Sequence, residues 1–156
     1  MWLNDQSLRL VVASTPLVSI DLVVQDAEGA ILLGRRLNRP AQGYWFVPGG
    51  RILKNESLDA AFRRLTLDEL GQAFERRHAR LLGVYEHFYS DSVFGDTQAN
   101  SDTHYVVLGY RFLLPPSTTL IPPATQHDCF RWWRVAEMQV SPEVHDNTRA
   151  YLDALP

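Results

Sequence analysis

Apolar and polar positions along the chain predict two early strands, one well-marked helix, two longer strands and a helical tail. Val18 to Val24 (VSIDLVV) is rich in β-branched residues and holds one carboxylate, Asp21. Ala30 to Arg35 follows it after the turn-forming cluster Asp26-Ala27-Glu28-Gly29, a spacing that predicts a hairpin. In Arg39 to Val47 (RPAQGYWFV), Pro and Gly break the chain into a loop ahead of a short strand. Ser57 is suited to cap a helix, Asp59 falls in its first turn where the dipole favours negative charge, and Gly71 closes it. Its apolar stripe is Leu58, Ala61, Phe62 and Leu65. Arg80 to Tyr89 and His104 to Leu114 then predict strands on either side of a long polar loop, Ser90 to Thr103, placed to act as a mobile lid. Phe130 to Val135 predicts a shorter strand, and Val144, Thr148, Tyr151 and Leu152 have roughly helical spacing within Pro142 to Leu155. No internal repeat or low-complexity tract interrupts this order.

The chemistry concentrates between Pro48 and Gly71, PGGRILKNESLDAAFRRLTLDELG. Five residues separate Gly50 from Glu56, and seven separate Glu56 from Arg64. Paired glycines have no Cβ, so their backbone can approach a phosphate and its metal closely. Residues four apart share a helix face, so positions 65 and 69 point together. Glu69 can hold a hard cation through oxygen, whereas Leu65 extends the apolar stripe. The segment resembles the Nudix box, whose signature runs Gly, five residues, Glu, seven residues, Arg-Glu-hydrophobic-x-Glu-Glu-x-Gly. Leu65 stands where that box has Glu after the Arg, and Asp68 replaces the first residue of the later acidic pair. The departure predicts fewer bound ions than the ordinary box holds.

Outside the box, Thr15 to Val24, Leu32 to Arg51, Arg63 to Gly71, Thr103 to Phe112 and Gln126 to Asp128 are similar to the GDP-mannose mannosyl hydrolase family. The likeness covers most of the chain from Thr15 to Tyr151, and that family's box also has Leu-Thr after the Arg. The resemblance implies one Nudix-type domain over residues 1–156, an α/β/α sandwich with a mixed central sheet and helices on both faces. It implies magnesium-dependent hydrolysis of GDP-mannose, with GDP-glucose a second substrate, by a homodimer with one essential ion per site. Water would attack the anomeric carbon with inversion and displace intact GDP. This chain differs from the family in the loop 90–103 and at Asp68, where sugar preference is open.

On matching positions the resemblance implies that Glu69, the Gly49 carbonyl and Gln126 hold the metal, amide and carboxylate oxygens suiting a hard ion. His127 is implied as general base, the imidazole having an unperturbed pKa near neutrality, with Asp128 placed to orient its ring. Arg36 is expected to face the departing diphosphate, with Arg35 pointing to solvent because strand neighbours alternate. Arg51 is expected on the same pyrophosphate. Arg64 either belongs to the site or pairs with Glu56 or Asp68. Asp21, an acid within an apolar strand, needs a partner if buried, and is assigned to bind the sugar or assist the base. His87 and Tyr105 either line the substrate pocket or pack around the sheet. The N-terminal Trp2, Leu3 and Leu8 are implied to hold the guanine across a dimer interface. Trp45, Trp132, Trp133 and Cys129 are expected in the interior or in an interface.

Composition narrows the alternatives. At 156 residues the chain can bury one substantial core, and a formal charge of -3 with a pI near 5.9 provides no general basic field. A sequence-independent nucleic-acid binder is thereby excluded. Cys129 is the only cysteine, so no intrachain disulfide forms. No early apolar run resembles a signal peptide or membrane span, and a cytoplasmic location is expected. Two other functions remain in view: a conventional pyrophosphohydrolase giving nucleoside monophosphate and sugar phosphate, and a non-catalytic nucleotide-sugar binder. Leu65 counts against the first; Glu69, Gln126 and His127 together count against the second.

Overall fold

A computed structural model describes residues 2–95, 102–124 and 127–156. The elements are α1 (Asp5–Ser14), β1 (Leu17–Gln25), β2 (Ile31–Arg36), β3 (Trp45–Phe46), β4 (Gly49–Arg51), α2 (Leu58–Leu70), β5 (Ala79–Tyr89), β6 (Thr103–Leu113), β7 (His127–Trp133), α3 (Val135–Val140) and α4 (Asp146–Arg149). They build a mixed seven-stranded sheet in the order β3-β2-β1-β6-β5, with β4 added to β1 and β7 to β2. β1 runs parallel to β6 from Leu17↔Tyr105 to Gln25↔Leu113, while the remaining pairs are antiparallel.

The expected hairpin is made at one position only, Gln25↔Ile31. Below it the two strands part. β6 covers one edge of β1, and β4 occupies the other through Ser19↔Arg51, Ile20↔Gly50 and Asp21↔Gly49. β2 pairs instead with β7 and β3. This divergence brings the glycine strand β4 against Asp21 and leaves Arg36 at the far end of β2.

Alternation along β1 divides the core between two faces. Ile20, Leu22 and Val24 lie under α2 with Phe62, Leu65, Leu70 and Phe112. Val23 faces the opposite layer, which holds Leu33, Phe46, Trp133, Met138, Val144 and Tyr151. The sheet is therefore covered on both sides, as the resemblance implied. Helix α2 obeys its sequence signals: the Ser57 hydroxyl accepts from the Ala60 N–H at 3.2 Å, and Gly71 ends the helix in the left-handed region at φ 78°. Leu58 departs from the expected stripe, being 38% exposed, because the sheet meets α2 only from Ala61 onward.

β7 begins at His127 instead of Phe130 and ends at Trp133, since its boundaries follow pairing with β2 from Ile31↔Trp133 to Arg36↔His127. The helical tail is shorter than its periodicity suggests: α4 has four residues and is followed by a 3-10 turn at Leu152–Ala154. Among the described residues, no helix is long and apolar enough to cross a membrane.

Candidate active site

A cleft of about 320 Å³ opens where β1 and β2 separate. Its walls come from β1 (Ser19, Asp21), the end of β2 (Arg36), β4 (Gly49, Gly50, Arg51), α2 (Leu65, Asp68, Glu69), and the β5–β6 end (His87, Tyr105). Trp2 and Leu8 close it from the N-terminal side, together with Val12 of α1. Leu3 is not on the cleft wall and is 38% exposed. Gln126 lies outside the described residues, as does the central part of the expected lid, residues 96–101.

The box places its carboxylates unequally. Glu69 is buried on the cleft wall, whereas Asp68, one residue before it, lies at the cleft margin with its side chain half exposed and directed to Arg64. Leu65 fills the position one helical turn before Glu69, and its Cδ2 would lie 2.6 Å from a Cβ on Gly50, so a side chain at 50 would have to displace the leucine tip from its packing against the glycine strand. Apolar packing thus occupies the space in which the ordinary box carries a second inward carboxylate. Among the described residues, no group of three or more His, Cys, Asp or Glu side chains could hold a metal ion.

Two buried acids and one cation set the electrostatics. Burial pushes the Asp21 carboxyl up to about 7, against a hydrogen bond from Tyr151 and the field of Arg36. Burial likewise pushes Glu69 up to about 7, with Arg36 opposing and the Asp68 and Asp21 carboxylates reinforcing the rise. Ionising both would place two negative charges on one wall, opposed by Arg36 and, more weakly, by Arg64, which is already paired with Glu56. A divalent cation beside Glu69 and the Gly49–Gly50 backbone fits this charge balance and the oxygen-rich donor set. Arg36 is fixed by its Nε, which donates to the Pro40 carbonyl at 2.9 Å.

His127 is set differently from the loop residue expected. It is the first residue of β7, 1% exposed, and is not on the cleft wall. Its ring lies over Gly34, where a Cβ would come within 2.5 Å of Cγ. Nδ1 is 3.8 Å from Glu69 Oε2, and among the described residues neither ring nitrogen has a hydrogen-bond partner. Burial, with Arg36 adding to it, lowers the imidazole to about 4. Asp128 does not orient this ring. It points to the other side of the strand and pairs with Arg35, which is exposed as alternation predicted.

Arg51 borders the cleft, and so does Arg64. Arg64 is heavily engaged elsewhere: Nε and Nη2 donate to Glu56 at 2.6 and 2.9 Å, Nη2 also to the Arg51 carbonyl at 2.8 Å, and Nη1 reaches Asp68 at 3.5 Å. It ties helix α2 to the glycine strand. The Trp2 ring sits over both guanidinium groups, 5.8 Å from Arg51 and 5.6 Å from Arg64. His87 is buried, its Nε2 has no hydrogen-bond partner among the described residues, and burial lowers it to about 4. Tyr105 is half-buried, and burial raises its phenol. Trp45 and Trp133 are interior, Trp132 is partly buried, and Cys129 is half-buried beside Asp128.

The sequence reading missed Tyr151 as a site-side residue. Its hydroxyl donates to Asp21 Oδ2 at 2.6 Å in the interior. The signal was the acid itself: a carboxylate buried in an apolar strand requires a donor, but nothing local identifies one 130 residues away.

The NUDIX domain profile matches residues 15–155. The chain is 38% identical over 153 residues to the low-salt glycan biosynthesis protein Agl8 of Haloferax volcanii, covering 97% of this chain and 89% of that protein. Among solved structures, a MutT NUDIX hydrolase from Burkholderia pseudomallei superposes with a TM-score of 0.73 at 26% identity, covering 92% of this chain and all of that one. The NUDIX domain of Shewanella oneidensis NrtR, solved with ADP ribose, shares the fold at a TM-score of 0.66 and 20% identity, covering 90% and 87% of the two chains.

Proposed function

The chain belongs to the NUDIX family, and on that footing we propose that it hydrolyses a nucleotide sugar of the GDP-mannose type to nucleoside diphosphate and free sugar. The observation that carries this reading is the packing of Leu65 against Gly50, which leaves Glu69 as the inward box carboxylate. Attack at phosphorus gains from several ions that clamp nucleophile and leaving oxygen. Displacement at a sugar carbon needs chiefly a stabilised leaving group. The identity to a protein named for glycan biosynthesis supports a sugar-bearing substrate.

Glu69, the Gly49 carbonyl and Gln126 are the groups that would hold a magnesium ion. When bound, that ion would neutralise charge on the departing diphosphate. Arg36, held by Pro40, and Arg51 present fixed cations to the same oxygens. Arg64 holds the backbone of Arg51 in place through its hydrogen bond to that carbonyl. His87 and Tyr105 offer polar edges to the sugar, and Asp21 offers a carboxyl oxygen. His127 is proposed as the general base; it stands behind the cleft wall with Nδ1 3.8 Å from Glu69, so the proton of attacking water would reach the ring by way of the Glu69 carboxylate. Trp2 and Leu8 are proposed to flank the base, in a homodimer.

Product identification tests the reading. Incubation with GDP-mannose and magnesium should give GDP and mannose. GMP with mannose 1-phosphate would indicate a pyrophosphohydrolase instead, and unchanged substrate across a panel of nucleotide sugars would indicate a binding protein.

A further inference from the structure

We propose that Tyr151 is a positioning residue whose hydroxyl aims the Asp21 carboxyl at the sugar; this rests on the nucleotide-sugar reading. The hydroxyl donates to Oδ2 at 2.6 Å in a buried contact, which fixes the rotation of the carboxyl group. The second oxygen, Oδ1, lies beside Gly49, where a Cβ would approach it to 2.7 Å, on the wall of the cleft. One oxygen is thus taken by the protein interior and the other faces the site.

The ring of Tyr151 has little freedom to turn away. It is 1% exposed and rests on Gly109 of β6, where a Cβ would meet Cε1 at 2.7 Å. Tyr85 packs its edge against it at a centroid distance of 4.6 Å. The tail that carries Tyr151 is also bonded to the chain entering the glycine strand. The Trp45 N–H donates to the Glu143 carbonyl at 2.9 Å, the His145 N–H to the Trp45 carbonyl at 3.1 Å, and the Val47 N–H to Thr148 Oγ1 at 3.3 Å. The C-terminal segment therefore sets Asp21 and the approach to Gly49 from one platform. A role confined to packing would need the ring but not the hydroxyl.

The test compares Tyr151→Phe, Asp21→Asn and the double variant for GDP-mannose hydrolysis and GDP affinity. Tyr151→Phe keeps the ring contacts. It should lower kcat about tenfold or more while GDP affinity stays within about twofold, because a misaimed group acts at the sugar and not at the diphosphate. In the Asp21→Asn background it should have no further effect on kcat. Unchanged kcat in Tyr151→Phe, or the same loss with and without the Asp21 carboxylate, would overturn the assignment. The carboxyl carbon-13 resonance of Asp21 provides a readout independent of turnover. If the wild-type protein hydrolyses no nucleotide sugar, the functional reading fails and this resonance decides the positioning: a shift on removing the hydroxyl supports it, and an unmoved signal overturns it.

Discussion

His127 Nδ1 lies 3.8 Å from Oε2 of Glu69, with both side chains buried and neither imidazole nitrogen hydrogen-bonded among the described residues. The box helix and the first residue of β7 therefore meet at the carboxylate that borders the cleft. A change at either residue bears on the same wall.

Glu69→Gln should weaken magnesium binding and activity far more than Asp68→Ala. On α2, Asp68 is rotated about 100° from Glu69 at ~3.6 residues per turn, and its side chain is half exposed and faces Arg64. Calorimetric titration with magnesium would show the difference; equal losses in the two variants would remove Glu69 from the metal site.

His127→Gln should reduce kcat on the order of 100-fold or more and leave GDP affinity nearly unchanged, as loss of a general base does. Because burial lowers this imidazole from 6.5 to about 4, it remains neutral through mild acid. With saturating magnesium holding Glu69 ionised, the imidazole should contribute no limb between neutrality and about pH 5, and the rate should fall as pH approaches its lowered value. A limb centred near pH 7 that Asp21→Asn abolishes would transfer the base role to Asp21, whose carboxyl is raised to about 7, as that of Glu69 is, and which lines the cleft.

Asp21→Asn should stabilise the metal-free protein at pH 8 and have little effect at pH 4. The folded carboxyl is raised from 3.8 to about 7, so the folded state binds the proton more tightly than the unfolded chain. The stability contributed by that proton is present in full below about pH 4 and is lost as pH rises through 7. The difference at pH 8 should be on the order of 3 kcal/mol. Urea denaturation in chelator at both pH values would check it; equal midpoint shifts at pH 4 and pH 8 would contradict the linkage.

Breaking the pair between Arg64 and Glu56 should cost stability as well as activity. Their side chains are 22% and 13% exposed, and the guanidinium also holds the Arg51 carbonyl. Arg64→Ala or Glu56→Ala should each destabilise by about 2–4 kcal/mol, with the double variant much less than additive. Additive losses in a double-mutant cycle would show that the two residues act separately.

Much of the frame was legible because its signals are local. Ser57 caps α2 and Gly71 ends it, as their side-chain chemistry and chain position predicted. Arg35 and Arg36 point apart because strand geometry allows nothing else. The rest depended on distant pairing. The early hairpin shrank to one residue pair because β4 and β7 compete for the edges of β1 and β2. β7 extended back to His127 through its register with Arg36, which removed that ring from a loop and buried it. Asp128 was adjacent to His127 in sequence, but strand alternation sent it to Arg35. Tyr151 read as one apolar point in a helical pattern, and only the folded tail shows its hydroxyl on Asp21.

The bond that breaks can be read directly by hydrolysing GDP-mannose in ¹⁸O-water. With Leu65 closing the space for a second inward box carboxylate and Arg36 beside the cleft, water should attack the sugar carbon. A single displacement inverts that centre. The label should appear in mannose, released first as the β-anomer, with GDP unlabelled. Label in a phosphate would contradict attack at carbon.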